Sequence, residues 1–333
     1  MKRSSILFAL SAVLAAVLFA SVKLTRTQRF LGTTKSPFTF HSTAEEVTEG
    51  IDLSGKTYLV TGSNSGIGLE TVRVLVLRGA TVIATGRTED KVREATKSLP
   101  LGKGGKIVPL ECELSSPESV KQFLTKAIKY QYDAIICNAG IMALPKLELV
   151  HGLEKQFFTN HMGHFLLVKG LLGSLKDDGR VVMVSSGAND MAPTVGIDFD
   201  NLDGSKGYNP LTAYGQSKLA NVLMAWELAE QFKGTGKTAL SLHPGVISTN
   251  LARHVDSWTM TVLRIVMPLF VESSKTIPQG TATQVFAAVH PNAKLANTTY
   301  YLVNTQEHLV HPAGNKQLAN KLWKFSEDIA RKL

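Results

Sequence analysis

Tyr214 and Lys218 stand four residues apart in AYGQSKLANVLMAWELAEQF (213–232), a stretch whose pattern predicts a single helix. Residues at that spacing share a helix face, which brings an ammonium close to a phenol oxygen. A free phenol, with a pKa of about 10, is a poor acid or base at neutral pH. A neighbouring positive charge favours the phenolate and moves it toward the working range, which is what general acid–base chemistry on a hydroxyl or carbonyl oxygen requires. The pair alone is a weak signal, because Tyr-x-x-x-Lys arises by chance in chains of this size.

A second stretch adds a binding function. VTGSNSGIGLE places Gly62, Gly66 and Gly68 between a strand-like run, KTYLVTG (56–62), and a helix predicted over 67–78. Gly62 lets the chain leave the strand, while Gly66 and Gly68 admit a pyrophosphate and close helix packing. The free N–H groups of the helix start, with Ser63, Asn64, Ser65 and Ile67, complete an anion cradle. Specificity for NAD would need an acid at the end of the next strand, TVIAT (81–85), but Gly86 and then Arg87 stand there. A guanidinium suits a 2′-phosphate, so NADP(H) is favoured. Glu89 and Asp90 fit the first turn of the following helix instead.

These residues need a scaffold, and strand and helix signals alternate from Lys56 onward. Further strands are expected at KIVPLEC (106–112), DAIIC (133–137), VVMVSS (181–186), TALSLH (238–243) and YYLV (300–303). Helices are expected at 89–99, 117–130, 152–173 and 315–331, besides the Tyr214 helix. Apolar, β-branched strands without polar alternation are buried on both faces, which implies a doubly wound parallel α/β sheet. No composition break divides residues 52–333, so a single domain is expected there.

The chain has 333 residues, 44% of them hydrophobic, enough for a large core. Six of its nine net positive charges fall on residues 1–35, namely Lys2, Arg3, Lys23, Arg26, Arg29 and Lys35, leaving a nearly neutral remainder. With no basic stripe elsewhere, nucleic-acid binding is not indicated. The charges flank SSILFALSAVLAAVLFASV (Ser4 to Val22), 19 residues that as a helix would nearly span a bilayer. An uncleaved membrane anchor over 1–24 is expected, in preference to a cleaved signal peptide. A polar tether and a short helix capped at Ser42–Glu46 would then occupy 25–51. The heavier positive flank after the segment points the domain to the cytosolic side of the endoplasmic reticulum or another organelle membrane. The sequon Asn297-Thr298-Thr299 would matter only in a lumen. Cys112 and Cys137 fit free core thiols, and neither His161/His164 nor His308/His311 has the partners of a metal site.

Taken together, TGSNSGIG (61–68), NAG (138–140), Asn160 in FFTNHMGHFLL, VSS (184–186), YGQSK (214–218) and HPGVIST (243–249) resemble the short-chain dehydrogenase/reductase family in order and spacing. The branch most similar is the retinol-dehydrogenase-like and WW-domain-oxidoreductase-like one, with likeness also to a plastid-envelope relative. Its long Ser-to-Tyr interval is present here, 28 positions from Ser186 to Tyr214. The resemblance implies a Rossmann fold and a catalytic set of Asn160, Ser186, Tyr214 and Lys218. Tyr214 would exchange the proton, Ser186 would hold the substrate oxygen, and Ser185 would be structural. Lys218 would also hold the nicotinamide ribose, and Asn160 would support a proton-relaying water. Asn138, Ala139, Gly140, Pro244, Gly245 and Thr249 would contact the cofactor. Glu113 replaces the usual Asp that faces the adenine. The apolar run WTMTVLRIVMPLF (258–270) lies where relatives form a substrate lid.

The function expected is NADP(H)-dependent interconversion of a hydrophobic alcohol and its aldehyde or ketone, with a retinoid, steroid or lipid carbonyl as substrate. The alternative is a membrane-anchored NADP(H)-binding redox sensor with little turnover. Relatives often form a homodimer through the helices carrying Asn160 and Tyr214; a monomer on the membrane is the other arrangement.

Overall fold

The computed structural model describes residues 36–247, 274–295, 300–303, 306–309 and 315–333. The apolar Ser4–Val22 segment, Asn297, Thr249 and the 258–270 run all lie outside the described residues. Among those described, no helix is long and apolar enough to cross a membrane.

The strands are β1 (Thr57–Val60), β2 (Thr81–Gly86), β3 (Lys106–Glu111), β4 (Tyr132–Cys137), β5 (Leu175–Val184), β6 (Thr238–His243), β7 (Tyr300–Val303) and β8 (Gln306–Leu309). They make one eight-stranded sheet in the order β8-β7-β6-β5-β4-β1-β2-β3. Every neighbouring pair is parallel except β7 and β8. The antiparallel β8 was not anticipated from the sequence; its residues QEHL lack a β-branched run.

Side chains alternate across this sheet with period two. Leu59, Ile135, Val181 and Met183 face one core; Tyr58, Val60, Ile136 and Val182 face the other. The first core is covered by helix α4 (Pro117–Ala127), by α5 (155–171), by α6 (Pro210–Gln231) and by α8 (Lys316–Ala330). The second is covered by α1 (Ala44–Val47), α2 (Gly66–Leu77) and α7 (Ile277–Val289). Helix α3 (Glu89–Thr96) follows β2 and begins at Glu89 and Asp90, capped by Thr88, as the sequence suggests.

Three local features depart from the sequence reading. The helix expected over 152–173 starts later, after a hairpin of Leu149–Val150 and Leu153–Glu154, and it widens into a π turn at Phe158–Met162. Helix α7 was not foreseen because it is buried nearly all round, which erases the amphipathic period. The stretch from residue 36 is not a free tether. Phe38 packs against Phe286 and His290, and Arg78 donates to Thr48 and to the Glu45 carbonyl.

The chain runs outward from β1 to β3, then returns to place β4 beside β1. That reversal opens a crevice at the carboxyl ends of the two strands, where doubly wound folds bind ligands.

Candidate active site

The crevice encloses about 270 Å³ and is lined at one end by Gly62, Asn64, Ser65, Gly66, Ile67 and Gly68. Gly62 and Gly66 adopt φ of 69° and 57°, a region that side chains disfavour. A Cβ on Gly68 would sit 2.2 Å from the Gly62 carbonyl oxygen, so the helix closes on the strand only because position 68 is glycine. Ser65 precedes α2 from extended backbone without a side-chain cap. By contrast, Thr43, Thr88, Ser116, Asn209, Thr276 and Asn315 each cap their helix with a side-chain oxygen. The first-turn N–H groups of α2 are therefore left facing the crevice, where its positive dipole end attracts an anion.

Arg87 is exposed at the crevice edge beyond β2, and no acid stands at Gly86. At the floor, Asn138 donates from Nδ2 to the Thr61 carbonyl at 2.7 Å, while its Oδ1 is buried without a protein partner. An orphaned acceptor, an uncapped helix start and a bare glycine cradle fit a dinucleotide. Glu113 also lines the crevice, but its Oε1 already accepts from the Ser115 N–H and hydroxyl, holding the turn before α4.

At the other end stand Ser186, Tyr214 and Lys218. Helix α6 carries two of them and is fixed at its start by Asn209, whose Oδ1 accepts from Leu211 and Thr212 N–H. The Tyr214 phenol and the Ser186 side chain face the same end of the crevice. Burial pushes the phenol up to about 12, and the Ser186 side chain works against that rise. The net shift is thus upward rather than the lowering expected from Lys218, whose Nζ lies 5.7 Å from the ring centroid and donates to the Val184 carbonyl at 3.0 Å. Burial lowers the Lys218 ammonium to about 8. Ser185 is structural as anticipated, its hydroxyl donating to the Lys218 carbonyl at 2.7 Å.

Asn160 sits in the π turn and does not reach the crevice wall. Its Oδ1 accepts from Ile141 N–H, and its Nδ2 donates to the Ile141 carbonyl and to Ser217 Oγ. Asn160 Oδ1 and Lys218 Nζ nevertheless both lie within 3.4 Å of where a Gly140 Cβ would be, so a side chain there would part them. Ser63 is also not a crevice residue. It is fully buried, its hydroxyl donating to the Val60 carbonyl and its N–H to the Thr85 carbonyl. Ala139, Gly140, Pro244 and Gly245 line the crevice as expected. Sequence reasoning missed Cys112, Leu114, Ile141, Thr159, Val184 and Ile247 in the wall, all adjoining recognised motifs.

The profile of the short chain dehydrogenase family matches residues 56–199. Short-chain dehydrogenase TIC 32 A, chloroplastic, of Brassica napus is 39% identical, covering 90% of this chain and 96% of its own. Human retinol dehydrogenase 14 is 35% identical over 83% of this chain and 86% of its own. A crystal structure of an uncharacterised Mycobacterium paratuberculosis protein superposes with a TM-score of 0.69 at 32% identity, covering 86% of this chain and 97% of that one. The chain belongs to the short-chain dehydrogenase/reductase family of oxidoreductases. Within it, the relatives place the chain in the retinol-dehydrogenase-like branch.

Proposed function

We propose that the chain is an NADP(H)-dependent oxidoreductase that interconverts a hydrophobic alcohol and its aldehyde or ketone. The observation that carries this reading is that Ser186, Tyr214 and Lys218 line the far end of a crevice that begins in an uncapped, glycine-lined helix start. A bound nicotinamide dinucleotide would supply or accept the hydride. Gly62, Asn64, Ser65, Gly66, Ile67 and Gly68 would hold its pyrophosphate, Arg87 the 2′-phosphate, and Asn138, Ala139 and Gly140 the face over the sheet edge. Lys218 would hold the ribose hydroxyls.

Ser186 positions the substrate oxygen and Tyr214 gives it a proton in the reductive direction. A phenol held near 12 is in its donor form at neutral pH, which suits carbonyl reduction. Lys218, below its value of about 8, is a cation that stabilises the phenolate left behind. The names of the retinol dehydrogenase relatives support a hydrophobic alcohol as substrate. The apolar Ser4–Val22 segment supports an N-terminal membrane anchor near such substrates.

The test is NADPH consumption by the full chain in lipid or detergent, with retinal, long-chain aldehydes and steroid ketones. Tyr214→Phe is expected to lower kcat by roughly 10²–10⁴-fold while leaving NADPH binding nearly unchanged. Turnover retained in that variant overturns the mechanism. NADPH binding by the wild type with no turnover on any of these substrates would favour the redox-sensing alternative.

A further inference from the structure

Thr61 begins the loop off β1, and its Oγ1 accepts two backbone hydrogen bonds, from Asn138 N–H at 2.9 Å and Ala139 N–H at 3.0 Å. A threonine hydroxyl has two acceptor positions and one proton. With both positions filled, the proton must be donated, and His164 Nε2 lies 2.8 Å away. That nitrogen is therefore bare. The ring proton sits on Nδ1, which lies 2.9 Å from the Asn160 carbonyl oxygen and donates to it. A protonated imidazolium would direct a second N–H at an oxygen with no acceptor position left. Complete burial of the ring agrees, holding His164 down at about 4. The titratable groups facing it are Lys218 from α6 and His161 on its own helix.

From Asn160 the hydrogen bonds continue. Its Nδ2 donates to Ser217 Oγ at 2.9 Å, and Ser217 Oγ donates to the Tyr214 carbonyl at 2.7 Å. The ring of His164 thus closes an unbroken run from the crevice floor at Asn138 and Ala139 to the helix that carries Tyr214 and Lys218. We propose that His164, fixed as the neutral Nδ1–H tautomer, is a positioning residue that locks the cofactor-binding floor to the π turn and the Tyr214 helix. The proposal rests on the reading of Tyr214 and Lys218 as the reacting pair. It adds that their register against the floor is set by one imidazole reading Thr61 on one side and Asn160 on the other. His164 touches none of the crevice-facing atoms and acts through Thr61 and Asn160.

Two measurements test this on the full chain. In ¹⁵N-histidine NMR of the wild type, His164 should show a protonated Nδ1 and a bare Nε2, with no titration between pH 8 and pH 5. A protonated Nε2, or a titration within that range, overturns the proposal whether or not any variant folds. In kinetics, Thr61→Val and His164→Phe should each lower kcat about tenfold, and the double variant should fall no further, because both cut the same link. Thr61→Ser, which keeps the hydroxyl, should retain wild-type kcat. Multiplicative losses in the double variant, or full activity in Thr61→Val, overturn the proposal while leaving the reading of Tyr214 intact. A wild type inactive on every substrate overturns both.

Discussion

Lys218 shows how one side chain is held at a cost for the sake of a site. It is 3% exposed, and burial lowers its ammonium from 10.5 to about 8. Between those values the unfolded chain binds more protons than the folded one, so this group makes stability rise with pH across roughly pH 8 to 10.5. Below pH 8 the full penalty of a desolvated charge applies. Lys218→Met should therefore raise the melting temperature at pH 7, with the gain shrinking to nothing above about pH 10.5, while turnover is lost. The Val184 carbonyl stays satisfied in that variant through Asn221 Nδ2 at 3.1 Å. A lower melting temperature at pH 7 would show that the ammonium stabilises the fold. Arg87 carries a separate expectation. A charge-assisted bond to a 2′-phosphate is worth about 1.5–3 kcal/mol, so Arg87→Ala should cut the NADPH over NADH preference in kcat/KM by about 10- to 100-fold. An unchanged ratio would remove Arg87 from cofactor discrimination.

Among the elements, α7 depends on a contact that its own sequence does not announce. Arg180, on β5, is 5% exposed and directs Nη1 to the carbonyls of Ala287 and His290, each at 2.9 Å, at the helix C-terminus. The cation answers both the orphaned carbonyls and the negative end of the helix dipole. Arg180→Met should lower unfolding free energy by about 2–4 kcal/mol in urea titration, since it strands those acceptors in a buried site. A loss under about half a kcal/mol would mean that water satisfies them instead. Helix α6 is placed by a different device. A Cβ on Gly215 would lie 2.6 Å from the Ala188 carbonyl, so the long segment between Ser186 and Tyr214 packs directly on the helix it precedes.

At the scale of the molecule, the C-terminal helix decides what the two long helices can do. Trp323 of α8 packs on Phe165 of α5 with ring centroids 4.9 Å apart, and Ser326 meets His161 at 2.9 Å. Lys316 pairs with Glu230 just inside the end of α6, and Glu327 with Lys169. The helices through which a homodimer was expected to form are thus covered by the chain's own last element. The intact protein is expected not to self-associate through this face. Deleting residues 315–333 should expose Phe165 and produce concentration-dependent association in sedimentation velocity. Dimers of the intact chain that cross-link between α5 or α6 of two copies would contradict this.

The sequence determined the parallel strands, the glycine cradle and the Tyr214–Lys218 pair, because each depends on local pattern: strand runs, glycine spacing and a four-residue helical repeat. It also located Arg87 at a strand end and Ser185 as structural. Tertiary structure alone decided that Ser63 and Asn160 turn inward, that burial raises the Tyr214 phenol, and that Thr61 and His164 join the floor to α5. Thr61 and His164 are 103 positions apart. Hydrogen-bond satisfaction and desolvation depend on which distant groups surround an atom, and no spacing along the chain carries that information.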